Sequence, residues 1–278
     1  MGPWTHGARS VTYSGGVDFG QAAAIEGNLA IDFNHLRLRF FDRWLKGTGN
    51  GLEDEPPVKL FVMGGGSGRK NDQHRLDHGG RWRGESEWPL ARAQEVPFYL
   101  SPGGALSTHA PLGTNSPSKY LFNPEQPVPT IGGNISSGQP VMMAGGFDQR
   151  ESEEFFGSVE PYLPLASRPD VLVFQTEPLK GDTEITGPVS VQLWISSSAV
   201  DTDFTAKLID VYPVSVDYPE GYALNLTDGI LRVKYRDSWE KPESMVPGNI
   251  YRIEVRLLPI SNLFVKGHRI RLDVSSSN

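Results

Sequence analysis

The sequence contains no cysteine, no long apolar run and no cluster of basic residues. Without cysteine the chain can form no disulfide, thiolate nucleophile or thiolate metal site; the compartment stays open, because secreted proteins can also lack cysteine. No stretch approaches the roughly 20 apolar residues that cross a bilayer, so we expect no membrane partner. Asp and Glu (33) outnumber Lys and Arg (26), and the net charge is −7, so we expect no nucleic-acid partner.

A secretory signal is also absent from the start of the chain, which has neither a basic segment nor an apolar one. Met1 to His6 reads instead like the interior of a domain, and the last strand pattern stops at Asn278 without a closing turn. We therefore expect a piece of a longer protein, truncated at both ends, whose localisation is unknown.

Glycine and proline are abundant, at 31 and 22 of 278 residues. Their aperiodic spread predicts many turns between short strands. Helical periodicity is confined to the first fifty residues, where apolar side chains recur at helical spacing over residues 32–46. Asp32 is the predicted N-cap and Gly47 the predicted C-terminal turn. A shorter helical segment is predicted around residues 21–26.

Strand patterns dominate the rest of the chain, and several of them alternate strictly. Val189, Val191 and Leu193 share one face, with Ser190 and Gln192 opposite. Half-buried antiparallel strands with long connections predict two packed sheets, a β-sandwich of the jelly-roll type. Residues 124–169 lack periodicity and are predicted to form a long ordered loop that crosses the sandwich. The predicted strands cover residues 58–63, 96–100, 119–122, 170–176, 190–196, 204–211, 229–235, 251–257 and 269–274.

Among the six histidines, only His6 has neighbours that suit a reactive side chain. Gly2 and Pro3 make a tight turn, and Trp4 supplies a large apolar anchor. A general base needs a histidine on a rigid turn at the edge of a pocket, with one ring nitrogen oriented by a carboxylate. On spacing alone, an ordinary structural loop histidine is the better interpretation.

Other polar clusters give weaker signals. His74 and His78 are four residues apart, but the glutamate of a zinc-binding His-Glu-x-x-His motif is absent, so metal ligation is only a weak alternative. Asp201, Asp203 and Asp210 fit turn capping better than a calcium site, which needs more oxygen ligands in one loop. We therefore expect no metal and no other cofactor.

A nucleophile for His6 is missing. No Gly-x-Ser-x-Gly elbow occurs, and the nearest candidate, at residues 65–69, fails at its final position. Without a nucleophile and an oxyanion hole, a histidine base has no proton to accept. We expect the isolated chain to be inactive.

In their order, several segments resemble the cocaine esterase/NonD (CocE/NonD) family of serine hydrolases, which is related to Xaa-Pro dipeptidyl-peptidases and α-amino acid ester hydrolases. Gly-Pro-Trp-Thr-His at residues 2–6 resembles the loop that carries the triad histidine. Phe-Asp-Arg-Trp-Leu-Lys-Gly at residues 41–47 resembles the helix that closes the α/β-hydrolase domain. The segments that resemble the family's C-terminal jelly-roll domain are residues 57–64, Trp82, Trp88 to Leu90, 201–208 and 221–226.

The resemblance implies a mainly β fold. Residues 51–278 would form a C-terminal jelly-roll β-sandwich, and residues 1–50 would be the last loop and helix of an α/β-hydrolase domain. His6 would be the catalytic base, whereas the serine, the acidic triad residue, the oxyanion-hole donors and a helical cap domain would lie outside this chain. The intact enzyme would act on a small-molecule ester or an Xaa-Pro peptide.

The family's substrate pocket lies between the catalytic, cap and jelly-roll domains. We expect Trp4, on the histidine loop, to line it. Thr130, Ile131 and Gly132, in the long crossing loop, are also expected to approach it. The alternative for these three residues is an ordinary proline- and glycine-rich turn.

Two other classes of function fit parts of the sequence. A non-catalytic β-sandwich binding module, for example one for carbohydrate, would use tryptophans as stacking faces, although core packing is the commoner role of such residues. A structural domain would instead pair with a copy of itself and form a homo-oligomer. The tryptophans in question are Trp82, Trp88, Trp194 and Trp239.

Overall fold

The computed structural model of the chain describes residues 1–5, 11–113, 117–134 and 141–278. Within these ranges the protein is mainly β, as predicted, and has a single α-helix, α1 (Phe33–Lys46). The strands are β1 (Tyr13–Ser14), β2 (Val17–Asp18), β3 (Val58–Met63), β4 (Leu76–Asp77), β5 (Gly80–Glu85), β6 (Tyr99–Ser101), β7 (Ala105–Ser107), β8 (Leu172–Gln175), β9 (Thr183–Ile195), β10 (Asp203–Tyr212), β11 (Tyr222–Arg232), β12 (Tyr251–Phe264) and β13 (Arg269–Ser275).

Helix α1 begins and ends where its capping residues predict. The Asp32 carboxylate accepts a hydrogen bond from the backbone nitrogen of His35 at 2.7 Å. Gly47 takes the left-handed conformation (φ 70°), which glycine adopts without a Cβ clash. The shorter predicted segment is a 3₁₀ helix, Gln21–Ala23. None of the described helices is long and apolar enough to span a membrane.

Two large sheets pack through a shared core and form the predicted β-sandwich. The first has the strand order β11-β10-β13-β8-β7-β6 and the second the order β5-β3-β12-β9. Buried side chains from both sheets, such as Val191, Ala206, Val255 and Leu272, belong to one hydrophobic cluster. A small sheet of β1, β2 and β4 lies beside them, and β4 pairs with β2 in parallel.

The alternation in the sequence identifies the core face of the sandwich. On β9, Val191 and Leu193 are buried, whereas Gln192 and Trp194 are exposed. The strand predicted at residues 119–122 is wrong: this segment is irregular. The strand predicted at 229–235 is misplaced, because β11 ends at Arg232 and a 3₁₀ helix follows.

The predicted crossing loop covers the face of the six-stranded sheet that points away from the main core. Ala206 and Leu208 of β10 enter the core, so Lys207 between them points to the opposite face. There its amine donates to the side chain of Gln149, in the crossing loop. The loop has its own apolar cluster, in which Val128, Ile131, Phe155 and Leu165 pack with Val171 just after the loop.

Candidate functional site

A cavity of about 300 Å³ lies between the N-terminal segment, residues 1–5, and the sandwich. Apolar side chains line it, among them Phe19, Phe61, Leu224 and Ile260. The described lining residues include no aspartate, glutamate, lysine or arginine side chain. A concave, mostly apolar site with a few polar groups suits an uncharged small molecule.

The N-terminal segment is fixed to the sandwich on one side of this cavity. The N-terminal amine of Met1 donates to the Lys59 carbonyl at 2.6 Å, and the backbone nitrogen of Phe61 donates to the Met1 carbonyl at 2.9 Å. Trp4 packs against Trp82 with ring centroids 5.5 Å apart, and its indole nitrogen donates to a carbonyl at 2.9 Å. Trp4 lines the cavity and anchors the segment.

His6, the predicted catalytic base, lies outside the described residues. Its neighbour Thr5 lines the cavity, and so does Ser14 at the end of β1. The chain therefore lines the cavity on both sides of residues 6–10, and the role of His6 stays a prediction.

Two arms of the crossing loop form another side of the cavity. Gly133 and Asn134 belong to the first arm and Gly145 and Gly146 to the second; these four residues are here called the loop wall. The backbones of Gly133 and Gly145 exchange two hydrogen bonds, each 2.9 Å long. The cavity wall at this point is therefore mostly backbone.

The three predicted pocket residues of this loop lie just before the loop wall. Ile131 is fully buried in the loop's own apolar cluster, and the Thr130 hydroxyl donates to the backbone carbonyl of Asn278. Gly132 has φ 70°, and a Cβ atom there would lie 2.4 Å from the Gly145 carbonyl oxygen. None of the three lines the cavity itself, and their contact with a pocket in the intact protein stays a prediction.

His78 is a polar lining residue that sequence spacing did not single out for this site. It is fully buried, with Nδ1 2.5 Å from the Tyr212 hydroxyl and Nε2 2.9 Å from the Asn262 side-chain oxygen. Both ring nitrogens therefore have a partner, and a neutral imidazole with its proton on Nε2 would donate to the amide oxygen and accept from the hydroxyl. Burial lowers the pKa of His78. No ring nitrogen is left for a metal shared with His74, so the metal alternative fails here.

A second buried histidine, His268, pairs with Asp210 through Nδ1 and Oδ1 at 2.8 Å. Its ring lies against Tyr212, with centroids 4.1 Å apart, and burial holds the pKa of that tyrosine well above its usual value. The signal for this network in the sequence is the polar pair Asp210 and Tyr212 on the core face of β10.

The four tryptophans of the binding-module alternative separate into two groups. Trp82 packs against Phe61, with centroids 5.3 Å apart, and Trp88 packs against a buried cluster on β3. Trp194 and Trp239 are each 75% exposed, and Trp239 stacks on Tyr235. Trp194 and Trp239 are therefore available on the surface for stacking on a ligand, and Trp88 is available in the cavity that it lines.

The whole chain is similar to parts of longer hydrolases. Residues 50–278 match the family model of the X-Pro dipeptidyl-peptidase C-terminal non-catalytic domain. Cocaine esterase from Rhodococcus sp. (strain MB1 Bresler) is 38% identical over 289 residues, covering 100% of this chain and 43% of that protein.

Solved structures give the same relationship. An α-amino acid ester hydrolase is 31% identical with a TM-score of 0.69, covering 100% of this chain and 42% of its own. An aminopeptidase from the marine sediment archaeon Thaumarchaeota archaeon is 26% identical with a TM-score of 0.75. The match covers 99% of this chain and 41% of the aminopeptidase chain. The chain thus spans about two fifths of the length of these relatives.

Proposed function

Because the chain belongs to the family of X-Pro dipeptidyl-peptidase C-terminal non-catalytic domains, we propose that it forms one side of the substrate pocket of a serine hydrolase. We further propose that His6 is the catalytic base of that hydrolase. The observation that carries both parts is the position of the N-terminal segment: Thr5, next to His6, lines an apolar cavity whose other sides come from the sandwich and the crossing loop.

The proposed reaction is acyl transfer to a serine that precedes this chain in the intact protein, followed by transfer to water. His6 accepts the serine proton, donates it to the leaving group, then takes a proton from the attacking water and returns it to the serine oxygen as the acyl group leaves. The packing of Trp4 against Trp82 fixes the segment that leads into the histidine loop. A general base has to be held in a fixed position. The isolated chain, which lacks the nucleophile, is inactive.

The exposed face of helix α1 supports the proposal that a catalytic part of the intact protein packs outside the sandwich. Its apolar face is exposed: Phe40, Phe41, Trp44 and Leu45 keep between 47% and 77% of their surface accessible. A helix normally buries such a stripe against another element. The helix also precedes the family match, which begins at residue 50. We assign this face to contact with the α/β-hydrolase part of the intact protein.

The lining of the cavity supports an uncharged, apolar acyl group as the part of the substrate that contacts the sandwich. Burying a charged group there would cost free energy, because no charged side chain among the described lining residues compensates it. A small uncharged ester satisfies this condition; an Xaa-Pro peptide satisfies it only where its charged N-terminal amine lies outside this cavity.

The test is the substitution His6→Ala in the intact protein. We expect kcat for an activated ester to fall by roughly 10⁴-fold or more, because the serine loses its base. His35→Ala is the matched control, since this exposed histidine lies on α1; its activity should be unchanged. Retention of most of the esterase rate by His6→Ala, with normal folding, would refute the assignment.

A further inference from the structure

We propose that Gln149 is a positioning residue for the substrate pocket, and that with Lys207 behind it Gln149 fixes the loop wall in place. This inference rests on the proposed function, because it takes the cavity as part of the pocket. Neither residue touches the cavity, so the effect acts through the loop backbone.

The side chain of Gln149 braces the two arms of the crossing loop against each other. Its Nε2 donates to the Ile131 carbonyl at 2.9 Å and to the Phe147 carbonyl at 3.2 Å. Ile131 lies two residues before Gly133, and Phe147 directly follows Gly146. The amide therefore joins the arms immediately behind the loop wall.

The backbone of Gln149 attaches the same point to the sheet and to the rest of the loop. Its nitrogen donates to the Ala223 carbonyl on β11, and its carbonyl accepts from the nitrogen of Leu165, both at 2.9 Å. Only 1% of the residue is exposed. A buried amide with all of its groups bonded has one favourable geometry, so it holds the arms at a defined separation.

Lys207 completes the brace from the sheet side. Its amine donates to Gln149 Oε1 at 2.7 Å, and the lysine is 7% exposed. Since the carbonyl end of the amide is held by Lys207, the nitrogen end is the one turned towards the loop arms. The lysine thus fixes both the position and the orientation of the amide.

The loop wall needs such support because it is built mostly of glycine backbone. A Cβ atom at Gly145 would lie 2.6 Å from the backbone nitrogen of Gly15, and one at Gly146 would lie 2.7 Å from Leu224 Cδ1. The wall therefore carries little side-chain bulk of its own, and the position of its backbone sets the depth of the cavity. From the other side, Asn225 accepts from the Phe147 nitrogen at 2.7 Å.

The substitutions that test this are Gln149→Met and Lys207→Met in the intact protein. Methionine has the length of glutamine and is one atom shorter than lysine, and in either place it removes the hydrogen bonds. Gln192→Met is the matched control, because Gln192 is exposed on the outer face of β9. We expect KM for an ester with a bulky acyl group to rise by roughly tenfold in both test variants, with kcat and the KM for an acetyl ester nearly unchanged.

A second readout is hydrogen–deuterium exchange of the Gly133 and Gly145 amides in the same intact proteins. These two amides should exchange faster in Gln149→Met than in the wild type or in Gln192→Met. Unchanged exchange of these amides would overturn the proposal that Gln149 fixes the loop wall. An equal change in KM for both acyl groups would overturn it as well. A protein that hydrolyses neither an ester nor an Xaa-Pro peptide would refute the proposed function, while the exchange data would still decide whether Gln149 fixes the wall.

Discussion

The amine of Lys207 lies in a buried polar layer, and burial lowers its pKa to about 8 from the ordinary 10.5. Attraction by Asp228 and Asp273 opposes this shift, but the loss of hydration is the larger effect. The unfolded chain therefore holds this proton more tightly than the folded chain does. The charged amine therefore lowers the free energy of unfolding. This loss has its full size below pH 8, decreases as the pH rises through 8, and vanishes above about pH 10.5.

The free energy of unfolding should consequently depend on pH through this lysine. Between pH 7.5 and pH 10, the wild type should gain about 2 kcal/mol of stability relative to Lys207→Met. Urea unfolding of both proteins at the two pH values measures this difference, in which the titration of other groups cancels. Parallel pH dependences of the two proteins would show that the amine is not perturbed in the fold.

The residues of the buried networks show why sequence spacing finds some sites and misses others. The Asp32 cap was predictable because its partner, the backbone of His35, lies three residues away. Spacing also suggested the pair His74 and His78, but His78 is bonded to Asn262, which is 184 residues distant. A contact of this kind depends on the assembled sheets and has no local signal.

The crossing loop is the element on which the candidate site depends most. It covers the outer face of the six-stranded sheet through hydrogen bonds of Gln149, Asp148 and Asn225 rather than through strand pairing along its length. Gly132 lies where its first arm turns towards the cavity. Its φ of 70° and the close approach of the Gly145 carbonyl leave no room for a side chain.

We expect Gly132→Ala to destabilise the protein by about 2 kcal/mol or more, since the alanine adds both backbone strain and a clash. Thermal or urea unfolding measures the loss. Gly181→Ala is the control: a Cβ atom there meets nothing within 4 Å, so its stability should stay within about 0.5 kcal/mol of the wild type. Equal stability of the two variants would contradict the tight approach of the loop arms.

Elements were predictable where one local pattern dominated. The caps and apolar spacing of α1 fixed its limits, and β3 spans the predicted residues 58–63. Strand β5 was missed because Trp82 is its one large apolar residue, and a single apolar position does not establish the alternation of a half-buried strand. It forms because β3 offers it a pairing edge, which is a tertiary effect.

At the scale of the whole molecule, the expected relationship to CocE/NonD hydrolases is confirmed by the family match and by the relatives. The sandwich was predictable from alternation and from the order of the motifs. The cavity was not, because its sides come from segments as far apart in the chain as Trp4 and Ile260. The division at residue 50, with the first part assigned to an α/β-hydrolase domain, stays a prediction.

The central claim is that this chain provides a histidine base for a nucleophile that lies elsewhere in a longer protein. Labelling of the intact protein with a fluorophosphonate probe, followed by peptide mapping, tests it most directly. We expect one labelled serine outside these 278 residues, with labelling abolished in His6→Ala and absent from the isolated chain. A label on a serine of this chain, or undiminished labelling of His6→Ala, would contradict the account.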